Sequence, residues 1–235
     1  MSDDDQTLPT KRHSAEIADF LDKLKAVPAR SGGGRGRLIF ALDATASREP
    51  SWDRACRIQG EMFEATAALG GLEIQLVFYR GFAECKASRW MTGADELHRV
   101  MRRVHCVGGE TQIERVLTHA IRETGKRRVN ALVFVGDAIE EPVDRLCRLA
   151  GELGLLGVPI FLFHEGRDPI AAAAFRQIAN LSRGAYLSFD LASAGRLKEL
   201  LAAVAVYAAG GYRALSAYGE QKGGAVLQLT SQLQR

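Results

Sequence analysis

The sequence predicts an α/β domain: a mostly parallel sheet of six strands, one of them antiparallel at an edge, with helices on both faces. Six short apolar segments alternate with segments of helical periodicity along most of the 235 residues. Most of these segments lack the polar alternation of half-exposed strands, which indicates burial on both faces. This rhythm favours parallel strands joined by right-handed crossover helices.

The first strand organises the rest of the chain. An apolar run from Leu38 to Leu42 follows a glycine-rich stretch and ends at Asp43. The glycines precede the strand and are not followed by Gly-Lys-Ser/Thr, so they do not form a phosphate-binding loop. A carboxylate that ends a buried central strand needs a partner, and it lies at the edge where open α/β sheets hold ligands.

The later elements follow in order, each predicted from its periodicity and its flanking glycines or prolines. The predicted strands after the first are 72–79, a short edge strand within 82–90, 129–135, 158–163 and 185–189. The predicted helices are 50–69, 95–104, one beginning after Thr111, 142–155, 170–181 and 197–208.

Three parts of the chain are distinguished. Residues 1–35 are predicted to hold an N-terminal helix and a glycine-rich linker, residues 36–209 the α/β domain, and residues 210–235 a tail. The tail fits two short helices or a hairpin. Helices are favoured because Val226, Leu229 and Leu233 share one helical face.

Composition narrows the classes of function. A formal charge of +3 with scattered basic residues argues against nucleic-acid binding. The four cysteines show no metal-binding or redox spacing, so we expect reduced thiols in a cytoplasmic protein. We also expect no membrane span, because no apolar run reaches the required length.

Oxygen ligands recur at the predicted carboxyl edge of the sheet. Thr45 and Ser47 follow Asp43 at alternating positions, Thr111 follows a glycine pair, and Asp137 ends a later buried strand. Carboxylate and hydroxyl oxygens suit hard cations such as Mg²⁺, Mn²⁺ or Ca²⁺. The sequence therefore predicts a metal site made of Asp43, Thr45, Ser47, Thr111 and Asp137.

This set resembles the metal-ion-dependent adhesion site (MIDAS) of the von Willebrand factor type A (VWA) family. That pattern is D-x-S/T-x-S, then a threonine in a glycine-containing loop, then an aspartate ending the fourth main strand. The resemblance covers about residues 36–209 and implies a Rossmann-like VWA fold. It implies that Thr45, Ser47 and Thr111 bind the metal directly, or one of them through water, and that Asp43 and Asp137 act mainly through coordinated waters.

The resemblance also implies a function. It predicts a cytoplasmic adaptor rather than an enzyme, which binds an exposed Asp or Glu of a partner protein through the metal. Some intracellular members of the family work beside AAA+ ATPases or in multiprotein complexes. Arg48 departs from this picture: at the mouth of the site, an arginine would weaken cation binding or help to hold an acidic partner.

Simpler explanations stay open for single residues. Thr111 and Glu114 form a capping-box pattern, and Ser47 is placed to cap the helix near Pro50. Asp137 alone would suit a turn.

Two other functions also stay open. One is a metal-dependent hydrolase of phosphate esters, with His164 or Glu140 as general base. The other is an interaction module with a vestigial metal site that binds partners through its terminal segments.

Overall fold

A single six-stranded sheet forms the centre of the protein in the computed structural model, which describes residues 35–66, 69–189 and 194–233. The strands are β1 (Gly36–Asp43), β2 (Leu72–Arg80), β3 (Glu84–Ala87), β4 (Ala131–Gly136), β5 (Ile160–Glu165) and β6 (Ala185–Phe189). Their order is β3-β2-β1-β4-β5-β6, and only β3 is antiparallel to its neighbour. The predicted fold class is confirmed.

Helices connect the strands at the predicted places. They are α1 (Glu49–Ile58), α2 (Gly60–Glu64), α3 (Ala94–Met101), α4 (Ile113–Lys126), α5 (Val143–Leu155), α6 (Pro169–Leu181), α7 (Ala194–Lys222) and α8 (Gly224–Gln232). The single helix predicted over 50–69 is wrong in one respect, because its described part is divided into α1 and α2.

Side chains of β1 alternate between the two faces of the sheet. Leu38, Phe40 and Leu42 pack under α1, α3, α7 and α8, whereas Ile39 and Ala41 pack under α4, α5 and α6. By the same two-residue period, Asp43 lies on the face of Ile39 and Ala41. The strand is buried along its whole length, as expected for the centre of a covered parallel sheet.

Asp168 caps the N-terminus of α6. Its Oδ1 accepts hydrogen bonds from the backbone N–H of Ile170 (2.7 Å) and of Ala171 (2.9 Å). We expect Asp168→Ala to lower the free energy of unfolding by about 1 kcal/mol, the usual cost of a lost N-cap. Urea unfolding would measure this, and Asp168→Asn, which keeps a cap, should cost less. An unchanged stability in Asp168→Ala would contradict the assignment.

Helix α7 is longer than the predicted 197–208 segment. Gly211, with φ of 73° and ψ of -167°, interrupts the helical backbone, so α7 consists of two helical segments that meet at a kink, and Leu215 in the second segment is buried. By length and composition alone, α7 is long and apolar enough to cross a membrane, contrary to the expectation from sequence. Its apolar side chains pack into the core beneath the sheet, which accounts for its composition.

The tail is helical, as favoured, and the hairpin alternative is wrong. Gln232 of α8 binds the free edge of β6: its side chain accepts from the Tyr186 N–H at 2.9 Å and donates to the Tyr186 carbonyl at 3.0 Å. The kink at Gly211 lies two residues after the predicted boundary at 209, and the division into domain and tail stays a prediction. The predicted N-terminal helix lies outside the described residues.

Candidate metal centre

The carboxyl ends of β1 and β4 lie side by side at the middle of the sheet. Leu42 pairs with Val135, so the residues that end these strands, Asp43 and Gly136, are neighbours. The chain after β1 makes a short 3-10 turn at Ala46–Arg48, and the chain after β4 continues into Asp137. Two of the predicted ligand stretches therefore meet at one edge.

Hydrogen bonds connect four of the five predicted ligands. Asp43 Oδ1 accepts from the Thr45 N–H at 2.8 Å. The Thr45 and Ser47 hydroxyl oxygens are 3.4 Å apart, and the Ser47 hydroxyl donates to Asp137 Oδ2 at 3.0 Å. Ser47 is exposed while Asp43 is buried, so this cluster extends from the core to solvent. Ser47 is not the cap of α1, because the N-cap position is Arg48 and no side chain caps that helix.

The inner end of the cluster has unsatisfied oxygens. Asp43 Oδ2 and the Tyr79 hydroxyl are both buried, and neither has a hydrogen-bond partner of acceptable geometry within the described part of the chain. Burial raises the pKa of Asp43, and the nearby Asp137 raises it further, against the opposing effects of Thr45 and Arg48. Burial and the adjacent Asp43 raise the pKa of Tyr79. A buried carboxylate oxygen without a partner calls for an explanation, and a bound cation would supply one.

Thr111 is held by a different set of bonds. Its hydroxyl donates to Glu141 Oε2 and accepts from the Glu140 N–H at 3.0 Å, and no described hydrogen bond joins it to the other four residues. The capping-box interpretation is wrong, because the helix begins after Gln112 and Glu141 binds the Glu114 N–H at 3.0 Å. The structure thus brings together four predicted ligands, whereas the fifth, Thr111, is hydrogen-bonded to Glu140 and Glu141.

The loop that carries Thr111 is docked against the first site loop. The Val107 N–H donates to the Ala44 carbonyl at 3.0 Å, and the Glu110 N–H donates to the Gly81 carbonyl at 3.2 Å. Gly109 permits this approach, because a Cβ there would lie 2.1 Å from the Gly81 carbonyl oxygen. These contacts fix Thr111 near the ends of β1 and β2.

Arg48 does not lie at the mouth of the site, contrary to the expectation from sequence. Its guanidinium is buried and forms an ion pair with Glu165 at the end of β5. The Ser51 hydroxyl donates to the same carboxylate oxygen. Arg48 therefore links the turn after β1 to the end of β5 and is not exposed to a partner.

His164, one of the two candidate general bases of the hydrolase hypothesis, does not have a free ring. It is fully buried in β5, where burial lowers its pKa and favours the neutral form. Its Nε2 lies 3.2 Å from the Asp137 carbonyl and its Nδ1 lies 2.9 Å from the Tyr186 hydroxyl. A carbonyl oxygen only accepts, so Nε2 carries the proton and Nδ1 accepts from Tyr186. The ring supports Asp137 and has no free nitrogen to serve as the general base of the hydrolase hypothesis.

The donor set fits a hard divalent cation. Two carboxylates, Asp43 and Asp137, match the charge of the ion, and hydroxyl oxygens from Thr45 and Ser47 complete a set that Mg²⁺ prefers. Nowhere in the described ranges do three His, Cys, Asp or Glu side chains gather as a metal site of their own. A site here thus depends on hydroxyls, and the orphaned Asp43 Oδ2 is the oxygen that most needs a cation.

Solved structures share this architecture. The SpRpn10 VWA domain is 14% identical, with a TM-score of 0.55, covering 69% of this chain and 95% of that one. The vWF domain of Mfa5 from Porphyromonas gingivalis is 11% identical, with a TM-score of 0.54 and coverage of 74% and 95%. The chain has the fold of VWA domains. No family model matches the sequence, and no curated protein does.

One structural neighbour holds a metal at its own MIDAS motif. Proximal thread matrix protein 1 from the mussel byssus, solved with a zinc-occupied MIDAS motif, is 14% identical with a TM-score of 0.56. The match covers 72% of this chain and 45% of that protein, so it spans under half of the neighbour's length. This VWA fold therefore accommodates a divalent cation at a MIDAS motif in at least one protein, and the ligand assignment here stays a prediction.

Proposed function

We propose that this protein is a metal-ion-dependent protein-interaction module, in which Asp43, Thr45, Ser47, Thr111 and Asp137 hold Mg²⁺, Mn²⁺ or Ca²⁺. The observation that carries the proposal is the continuous cluster from the buried, orphaned Asp43 Oδ2 to the exposed Ser47. When bound, the ion acts as a Lewis acid that attracts a carboxylate of a partner protein. Mg²⁺ is rarely enclosed wholly by protein, so a ligand position remains for a partner's Asp or Glu.

The residues around the cluster prepare it for this role. The hydrogen bond from Ser47 orients the Asp137 carboxylate, and His164 donates to the Asp137 backbone carbonyl. The ion pair of Arg48 with Glu165 is buried below the turn that presents Ser47. Such fixed surroundings reduce the ordering that cation and partner binding would require.

Localisation and partners belong to the same proposal. Four free cysteines support a reducing, cytoplasmic setting. The partner carries an exposed Asp or Glu. Association with an AAA+ ATPase or another multiprotein complex stays a prediction from the resemblance.

Binding to protein partners should depend on divalent metal. We expect immobilised wild type to retain specific proteins from an extract in Mg²⁺, to lose them in EDTA, and to bind each of them directly after purification. Asp43→Ala should lose the same proteins, whereas Asp144→Ala, which removes a carboxylate exposed on α5, should retain them. Partners that bind equally well in EDTA and to Asp43→Ala would contradict the proposal and favour a vestigial site.

A further inference from the structure

Two consecutive glutamates after β4, Glu140 and Glu141, form hydrogen bonds with the loop that carries Thr111. Glu140 Oε2 accepts from the Thr111 N–H at 2.7 Å, and the Glu140 N–H donates to the Thr111 hydroxyl at 3.0 Å. Glu141 Oε2 accepts from the Thr111 hydroxyl, and its Oε1 accepts from the Glu114 N–H at 3.0 Å. Both carboxylates are used on this loop and on the start of α4, and all four bonds join residues that are 27 to 30 positions apart in sequence.

The hydroxyl of Thr111 is left with one defined free position. A threonine hydroxyl has one proton and two lone pairs. The proton is donated to Glu141, and one lone pair accepts from the Glu140 N–H. A single lone pair remains, and its direction is set by the other two bonds.

We propose that Glu141 is a positioning residue for the metal centre. It directs the free lone pair of the Thr111 hydroxyl toward the cation and makes that hydroxyl a stronger ligand. The inference rests on the proposed function. A carboxylate that accepts the proton of a ligand group increases the electron density on the ligand atom, as outer-shell carboxylates do for metal-binding histidines. Glu141 itself does not bind the cation.

The position of Glu141 agrees with this role. A helix cap needs only one oxygen for a backbone N–H, yet Glu141 uses its second oxygen on the Thr111 side chain. The loop that carries Thr111 also reaches the first site loop, because its Val107 N–H donates to the carbonyl of Ala44, the residue after Asp43, at 3.0 Å. Glu141 is thus close to the cluster while remaining bound to the Thr111 loop.

Calorimetric titration of the full chain with Mg²⁺ tests the inference. We expect Glu141→Gln, which keeps the shape and an acceptor oxygen, to weaken Mg²⁺ binding by about 10- to 100-fold, the usual effect of losing an outer-shell partner. Glu110→Gln removes the same charge one residue before Thr111, from an exposed side chain, and should change the affinity by less than about 2-fold. Urea unfolding without metal would show that both variants are folded.

A double-mutant cycle separates positioning from simple charge attraction. On a Thr111→Ala background, Glu141→Gln should have no further effect on the Mg²⁺ affinity, because the hydroxyl through which Glu141 acts is absent. If Glu141→Gln proves unstable, Thr111→Ser, which keeps the hydroxyl, should retain the affinity that Thr111→Ala loses. Two results would overturn this inference without affecting the proposed function. One is an unchanged Mg²⁺ affinity in Glu141→Gln, and the other is an equal loss of Mg²⁺ affinity on the wild-type and Thr111→Ala backgrounds. Absence of Mg²⁺ binding by wild type would overturn the proposed function with it.

Discussion

Replacing Arg48 by alanine is expected to lower the free energy of unfolding by about 3–5 kcal/mol, the usual cost of breaking a buried ion pair by removing one partner. The side chains of Arg48 and Glu165 are only 3% and 10% exposed. Without the guanidinium, the Glu165 carboxylate would stay buried with the Ser51 hydroxyl as its described hydrogen-bond partner. Urea unfolding of the metal-free proteins at neutral pH would measure the loss.

Two controls show whether the effect arises from the unpaired charge. The double variant Arg48→Met/Glu165→Gln removes both charges and should recover most of the lost stability, because neutral replacement of a buried pair is often tolerated. Lys86→Ala breaks an ion pair with Glu84 whose side chains are 63% and 31% exposed, and should cost less than about 1 kcal/mol. An Arg48→Ala variant as stable as Lys86→Ala would contradict the structural role of the buried pair.

The effect of Asp43→Asn on the free energy of unfolding should depend on metal. In EDTA we expect the variant to be more stable than wild type by about 1–3 kcal/mol, because it removes a buried charged group whose Oδ2 has no partner. In Mg²⁺ the wild type should gain about 2.7 kcal/mol at a concentration of 100 times its Kd, and the variant should gain nothing. Urea unfolding in each buffer would measure the two differences.

The sign in EDTA follows from linkage. Burial raises the pKa of Asp43 in the folded state, so the metal-free protein loses stability as the pH rises from the unfolded pKa through the folded one. Neutral asparagine removes this loss, and so the advantage of the variant should shrink toward acidic pH. A variant that is less stable than wild type in EDTA at neutral pH would show that Asp43 is satisfied without a cation.

Local patterns predicted the sheet and most of the site. The run from Leu38 to Leu42 is buried on both faces, and this explains why its position and the carboxylate at its end were readable from the sequence. Thr45 and Ser47 are within four residues of Asp43, so their convergence is a local property. Asp137 joins them because β4 is the parallel neighbour of β1, as alternation of strands and helices predicts.

Features that depend on distant partners were not predictable. The ion pair of Arg48 with Glu165 and the bond from Thr111 to Glu141 join residues far apart in sequence, and no periodicity identifies such pairs. The strand predicted over 158–163 ends before His164, yet β5 continues through it to Glu165.

Titration of the metal-free wild type with Mg²⁺ tests the central claim most directly, with heat and melting temperature followed together. We predict saturable binding of one ion per chain and a melting temperature that keeps rising with Mg²⁺ concentration, because the ion binds the folded state. Asp43→Ala should show neither response. Absence of both heat and a melting shift in wild type with Mg²⁺, Mn²⁺ and Ca²⁺ at concentrations of about 10 mM, well above the range of ordinary sites, would contradict a functional metal centre.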